Sequence, residues 1–207
     1  MENTANRIFL RGSLAGLPSL SHENHGRRFY RFALDVPRLS GTSDTLQIVV
    51  PEQTLNALEI SDGSMIEVMG QVRSFNSRQE TGRKLIISVF AAAVEICDGD
   101  PANEVELSGT ICKDPIYRRT PLGREICDVM LAVNRPYRRT DYLPCILWGK
   151  TAQEVARKTV GARIHLAGRL QSREYIKVLD TGSERRTAYE ISAISACMLD
   201  TETDEAP

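Results

Sequence analysis

Long apolar runs are missing from this chain of 207 residues. No stretch approaches the ~20 apolar residues that a bilayer-spanning helix needs. The opening Met1-Glu2-Asn3-Thr4-Ala5-Asn6 has neither the basic nor the apolar region of a secretory leader, so a cytoplasmic protein with no membrane partner is expected. Cysteine is scarce and odd in number. Cys97, Cys112, Cys127, Cys145 and Cys197 are widely spaced, mostly within apolar runs, which suits reduced buried thiols better than a disulfide framework. There is no CxxC pair, and His22 and His25 lack further ligands, so no metal site is expected. A phosphate-binding glycine loop, a nucleophile elbow and a zincin helix are all absent. The acidic residues, Asp114, Asp128 and Asp141 among them, are scattered. These gaps argue against an enzyme and against a cofactor.

Net charge is also small, at −1, but the charges are sorted along the chain. Residues 1–100 hold ten Lys/Arg and twelve Asp/Glu, whereas residues 101–199 hold sixteen Lys/Arg and eleven Asp/Glu. The last eight residues contribute only acids: Asp200, Glu202, Asp204 and Glu205. A cationic second half and an acidic tail thus hide inside a neutral total, and it is the distribution that steers a polyanion.

What the chain does have is repetition. Asn6-Arg7-Ile8-Phe9-Leu10-Arg11-Gly12 resembles Asn103-Glu104-Val105-Glu106-Leu107-Ser108-Gly109. The shift of 97 positions also pairs Pro18 with Pro115, Gly26 with Gly123, Leu34 with Leu131, Arg38 with Arg135 and Asp44 with Asp141. One inserted residue later, Gly63 pairs with Gly161, Ile66 with Ile164 and Gly70 with Gly168. Two copies of one fold are expected, residues 1–97 and 103–199, joined by the turn-rich linker 98–102 and followed by the tail 200–207.

Each copy reads as mostly strand. In the second, strands are expected at 105–112, 126–133, 141–148, 163–175 and 186–198, with a short helix over 151–159 capped by Thr151 and stopped by Gly161. In the first, strands are expected at 7–14, 29–36, 46–50, 64–75 and 84–96, with a helix near 52–58. Five strands with one helix between the third and fourth is the order of an OB-fold, a small Greek-key barrel, so the fold class is all-β, with tandem five-stranded barrels.

Two strands of the second copy carry the functional pattern. In the third, Tyr142, Ile146 and Trp148 share one face and Leu143, Cys145 and Leu147 the other. In the fourth, Ile164, Leu166, Gly168 and Leu170 oppose Arg163, His165, Arg169, Gln171, Arg173 and Tyr175. Aromatic rings on a cationic sheet face form a platform for unpaired bases, although core packing under a helix is an equally ordinary use for two rings.

At this point the second copy resembles the bacterial single-stranded DNA-binding protein family. The matching segments are Asn103–Thr110, Lys113-Asp114-Pro115, Leu131–Arg135, Asp141–Lys150 and Ala167–Arg173, in order across residues 103–199. The resemblance implies four stacking aromatics, which fall on Tyr137, Tyr142, Trp148 and Tyr175. All four are aromatic in a chain with only twelve aromatics, which favours stacking over core packing. Arg135, Arg138, Arg139, Lys150, Arg169 and Arg173 would neutralise phosphates, with Arg118 and Arg119 extending the path. In the first copy the same positions hold Ser40, Thr45, Pro51 and Ser77; Phe75 is the nearby substitute, with Arg73, Arg78 and Arg83 around it. Phe29, Tyr30 and Phe32 lie on a strand assigned to core packing.

The resemblance implies sequence-tolerant single-stranded DNA binding in replication, recombination or repair, with the second copy gripping DNA and the first supporting assembly. A minority of the family carries two OB-folds per chain and dimerises to present four, which implies a homodimer here. The short tail lacks the family's linker and apolar tip, which argues against recruiting replication proteins through it. Two alternatives stand beside this reading: an accessory OB protein of a primosome or mobile element, and a protein-interaction OB module.

Overall fold

A computed structural model describes residues 6–55, 58–79, 82–179 and 182–199. Expectations placed on the 200–207 tail, and on the side chains of Arg78 and Arg83, lie outside the described residues. Among the described residues, eleven strands and two short helices follow one another as β1 (Asn6–Asn24), β2 (Arg27–Pro37), β3 (Ser43–Pro51), α1 (Glu52–Leu55), β4 (Met65–Gln79), β5 (Gly82–Ile96), β6 (Ala102–Ile111), β7 (Ile116–Arg119), β8 (Glu125–Arg135), β9 (Arg139–Trp148), α2 (Gly149–Val155), β10 (Arg163–Leu179) and β11 (Gly182–Met198).

The strands close into two rings. Strand β1 pairs with β2 and with β4, and the parallel β3–β5 contact completes the first barrel. In the second, β6 pairs with β8 and β10, and the parallel β9–β11 contact closes the ring. The fold is a tandem of five-stranded OB barrels. Alternation along the strands fills each interior, for example Leu34, Leu46, Ile48 and Val89 in the first and Leu131, Leu143, Leu147 and Ile164 in the second. The same antiparallel edge joins them: β1 pairs with β6 from Asn6↔Leu107 to Arg11↔Ala102, so backbone hydrogen bonds run from one barrel into the other.

The repeated glycines have a packing cause. At Gly70 and Gly168 a Cβ would lie 2.2 Å from the carbonyl oxygens of Phe90 and Ser192. Both glycines sit where the neighbouring strand is irregular, between Met69 and Gly70 and between Ala167 and Gly168.

Two local expectations are corrected. Helix α2 starts at Gly149, with Trp148 in the extended N-cap position and no side-chain cap, so Thr151 lies inside the helix. Strand β1 does not stop at Leu14 but continues to Asn24 through register shifts, whereas in the second copy the turn after Ile111 breaks the same path into β6 and β7. Strand β7 escaped the sequence because all four of its residues are exposed and show no alternation.

The barrels are also locked by side chains, and the lock is written twice. Asp44, 1% exposed at the start of β3, accepts hydrogen bonds on Oδ1 from the backbone N–H of Ser172 at 2.6 Å and from its hydroxyl at 3.0 Å. Arg38 Nε donates to the same carboxylate at 2.7 Å. Asp141, fully buried at the start of β9, accepts from the backbone N–H of Ser74 at 2.7 Å. Ser74 Oγ in turn accepts from the N–H of Tyr142 at 2.7 Å. Each barrel thus lends a carboxylate to the fourth strand of the other.

Candidate nucleic-acid interface

Trp148 ends β9 on the outer face and is 37% exposed. Its Nε1 donates to Ser192 Oγ at 3.1 Å, which ties the indole across the parallel β9–β11 seam, where Ile146 pairs with Ser192. The ring's one polar group is satisfied by the protein, and over a third of its surface remains open. Tyr142, on the same face at the head of β9, is 46% exposed. Six residues of strand separate the two rings by roughly 20 Å. Ile146 between them is nearly buried, so the face carries two rings with an apolar floor between.

The turn between β8 and β9 presents Tyr137 almost wholly to solvent, at 95% exposure. Tyr137 and Arg138 both adopt positive φ, 62° and 54°, the left-handed conformation that the tight turn joining β8 to β9 calls for and that side chains of this size adopt rarely. Tyr175 projects from β10 with the guanidinium of Arg173 5.8 Å from its ring centroid. Phe75, on β4 of the first barrel, is 54% exposed. All four aromatics read from the sequence of the second copy, and Phe75 of the first, are therefore at the surface.

The cations divide into free and engaged. Arg138, Arg139 and Arg173 are exposed, and Lys150 extends into solvent with a long 3.8 Å contact to Glu154. Arg118 is held by Asp128, with Nε–Oδ2 at 2.6 Å and a second bond at 3.2 Å, and Arg119 by Glu125. Arg135 is drawn inward: its Nε lies 3.0 Å from Oδ2 of buried Asp141, which it shares with Arg73 at 3.5 Å. Burial, with the neighbouring Arg135 charge, pushes the Arg73 guanidinium below its usual range, and Asp141 opposes that shift. Two guanidinia on one carboxylate leave the seam with one net positive charge. Arg169 is half-buried with Nε lacking a hydrogen-bond partner, and pairs across β10–β11 with Ser192, the residue under Trp148.

Sequence reasoning missed two features. It found Asp44 and Asp141 as a repeat pair without the inter-barrel bonds they make. It also assigned Phe29 to the core. Phe29 instead stands half-buried on the outer face, stacked on His22 with centroids 4.8 Å apart and an interplanar angle of 7°. Phe32 is the residue of that strand that fills the core, at 4% exposed, and Tyr30 is half-buried beside it. Among the described residues, no group of three or more His, Cys, Asp or Glu is placed to hold a metal ion, and no helix is long and apolar enough to cross a membrane.

Comparison with known proteins gives consistent matches. Residues 102–199 match the model of the single-strand binding protein family. Single-stranded DNA-binding protein B of Bacillus subtilis is 39% identical over 80 residues, covering 35% of this chain and 71% of that protein. Single-stranded DNA-binding protein 3 of Listeria innocua is 34% identical over 113 residues, covering 50% of this chain and 68% of the relative. The wild-type single-stranded DNA binding protein from Thermus aquaticus superposes over 98% of this chain and 96% of its own, with a TM-score of 0.79 at 21% identity, a likeness of the whole tandem fold.

Proposed function

Because this chain belongs to the single-strand binding protein family, we propose that it binds single-stranded DNA by base stacking and phosphate neutralisation, without sequence readout and without a catalytic step. The observation that carries this is the Trp148 indole, tied at its polar edge to Ser192 on the outer face of the barrel, with Tyr142 on the same strand face. A core tryptophan would be covered; this one is held at the surface. Every base has a π-face, so such a platform holds a strand of any sequence.

In this reading residues 1–97 and 103–199 are two domains, with 98–102 as the linker and 200–207 as an acidic tail. Tyr137, Tyr142, Trp148 and Tyr175 stack bases. Arg138, Arg139, Lys150 and Arg173 meet phosphates, whereas Arg118 and Arg135 contribute less because acids already engage them. Two chains associate to present four barrels, and the protein acts in the cytoplasm in replication, recombination or repair.

Titration of Trp148 fluorescence with poly(dT) at two salt concentrations is the test. Saturable quenching that weakens with salt is the expected result. No quenching, with no binding in an independent assay, would favour a protein-interaction module instead.

A further inference from the structure

The first barrel lacks a counterpart of Trp148, because Pro51 stands in that place, yet an aromatic ring reaches the same part of the surface from another strand. Strand pairing fixes the correspondence. In the second barrel the parallel seam pairs Cys145 with Ile191 and Ile146 with Ser192. In the first it pairs Ile48 with Val89 and Val49 with Phe90. Phe90 therefore occupies the position of Ser192, the residue to which the Trp148 indole is bonded. The two barrels have exchanged roles between strands. One carries its ring at the end of the third strand above a serine on the fifth; the other has a proline there and the ring on the fifth.

Phe90 has company. The ring of Phe29, on β2 opposite Pro51 of β3, lies 6.0 Å from it at 46°, and His22 on β1 stacks against Phe29. The Arg73 guanidinium lies 5.8 Å from the Phe90 centroid. Core packing does not account for the group. The interior positions of the same strands are Phe32, Leu34, Val89 and Ala91, all buried, whereas Phe29 and Phe90 are only half-buried and His22 is exposed. The group also leads somewhere. Arg73 reaches across to Asp141, 3.5 Å away, whose neighbour Tyr142 stands open on β9. Arg73 thus ties the Phe29–Phe90 group to the contact between the barrels at Asp141, at the head of the strand that carries Tyr142 and Trp148.

We propose that His22, Phe29, Phe90 and Arg73 form a second stacking site, on the first barrel, for unpaired bases of the same strand that Tyr142 and Trp148 hold on the second. The proposal rests on the functional reading above. The sequence concealed it because the repeat register lengthens after Gly70 and Gly168: the offset that pairs Phe90 with Ser192 is 102 positions, not 97 or 98.

The full chain, probed with a short and a long oligothymidylate, tests it. Trp148 quenching reports the second barrel, and anisotropy of the labelled oligonucleotide reports total affinity. The double variant His22→Ala/Phe90→Ser is expected to bind the long oligonucleotide about tenfold more weakly and to occlude fewer nucleotides. The short oligonucleotide should quench Trp148 as in the unmodified protein. Unchanged affinity and site size on the long oligonucleotide would overturn the proposal. Photo-crosslinking of the unmodified protein to a 5-iodouracil-substituted strand avoids dependence on the variant's folding. Adducts on peptides carrying His22, Phe29 or Phe90 support the site, and adducts confined to the second barrel overturn it. If the unmodified protein neither quenches nor binds either length, the functional reading itself fails and the site with it. If the short oligonucleotide quenches and the long one occludes no more, the site alone fails.

Discussion

The backbone N–H of Ser74, in the first barrel, donates to Asp141 Oδ1 of the second at 2.7 Å, and Asp141 is wholly buried. A buried carboxylate holds its place only when hydrogen bonds and opposite charge replace the water it has lost. Asp141 has both, from Ser74 and from Arg73 and Arg135. Asp141→Ala is therefore expected to destabilise the protein by about 3–5 kcal/mol, because two guanidinia lose their counter-charge. Asp141→Asn, which keeps an acceptor for Ser74, should cost less. Urea denaturation of the two variants checks the order.

Trp148→Ala is expected to weaken oligothymidylate binding by about 1–3 kcal/mol while leaving the melting temperature nearly unchanged. The indole contributes open surface and one hydrogen bond to Ser192, not core volume. Loss of the circular dichroism signal in this variant would return the residue to a structural role.

Salt dependence separates free cations from engaged ones. Each phosphate contact adds about one to the slope of log affinity against log salt. Arg139→Ala should reduce that slope by about one. Arg118→Ala should change it less, since Asp128 already holds its guanidinium through two hydrogen bonds. Titrations of the two variants across a range of salt concentrations compare them directly.

Thiol chemistry reports on the second barrel's interior. Burial pushes the Cys145 and Cys127 thiols well above and above their usual range, respectively, while Cys197 is exposed. The thiolate is the reactive form. An aromatic disulfide reagent at mildly alkaline pH should therefore label Cys197 first. Cys145 should stay protonated and unlabelled until the protein unfolds. Peptide mass spectrometry after timed labelling gives the order.

Gly168→Ala places a methyl group 2.2 Å from the Ser192 carbonyl oxygen and 2.8 Å from Ala193 Cα. Backbone on the neighbouring strand cannot step aside as a side chain can. A loss of about 1–3 kcal/mol is expected from thermal unfolding. Because Ser192 anchors the Trp148 ring, the variant's fluorescence spectrum should shift as well.

Much of this architecture was legible before any coordinates. Glycines recur in the two copies because the β4–β5 and β10–β11 crossings demand close backbone approach, a requirement that leaves a fixed mark in sequence. Alternation put Tyr142 with Trp148 on one strand face and Tyr175 and Phe75 on the outer faces of theirs, but it was the family resemblance, not spacing, that favoured surface rings over core packing and added Tyr137. Partnership was not legible. Nothing in the spacing of Arg135 told that Asp141 would draw it inward, since that carboxylate's burial depends on the opposite barrel. Phe29 is the reverse case: alternation with Phe32, Leu34 and Val36 already put it on the outer face, and only its stack against His22 was unreadable, because that needs β1 to run on past Pro18 and pair with β2.

The β1–β6 edge has a consequence for dilution. When two separate chains meet along a sheet edge, their pairing falls apart at low concentration. Here both edges belong to one polypeptide, joined by a few residues between Ile96 and Ala102. Such a tether holds the partners at an effective concentration in the millimolar range. The barrel pair is therefore a constant of the molecule at any abundance in solution. Its two members, fixed in identity and order, were free to acquire different surfaces.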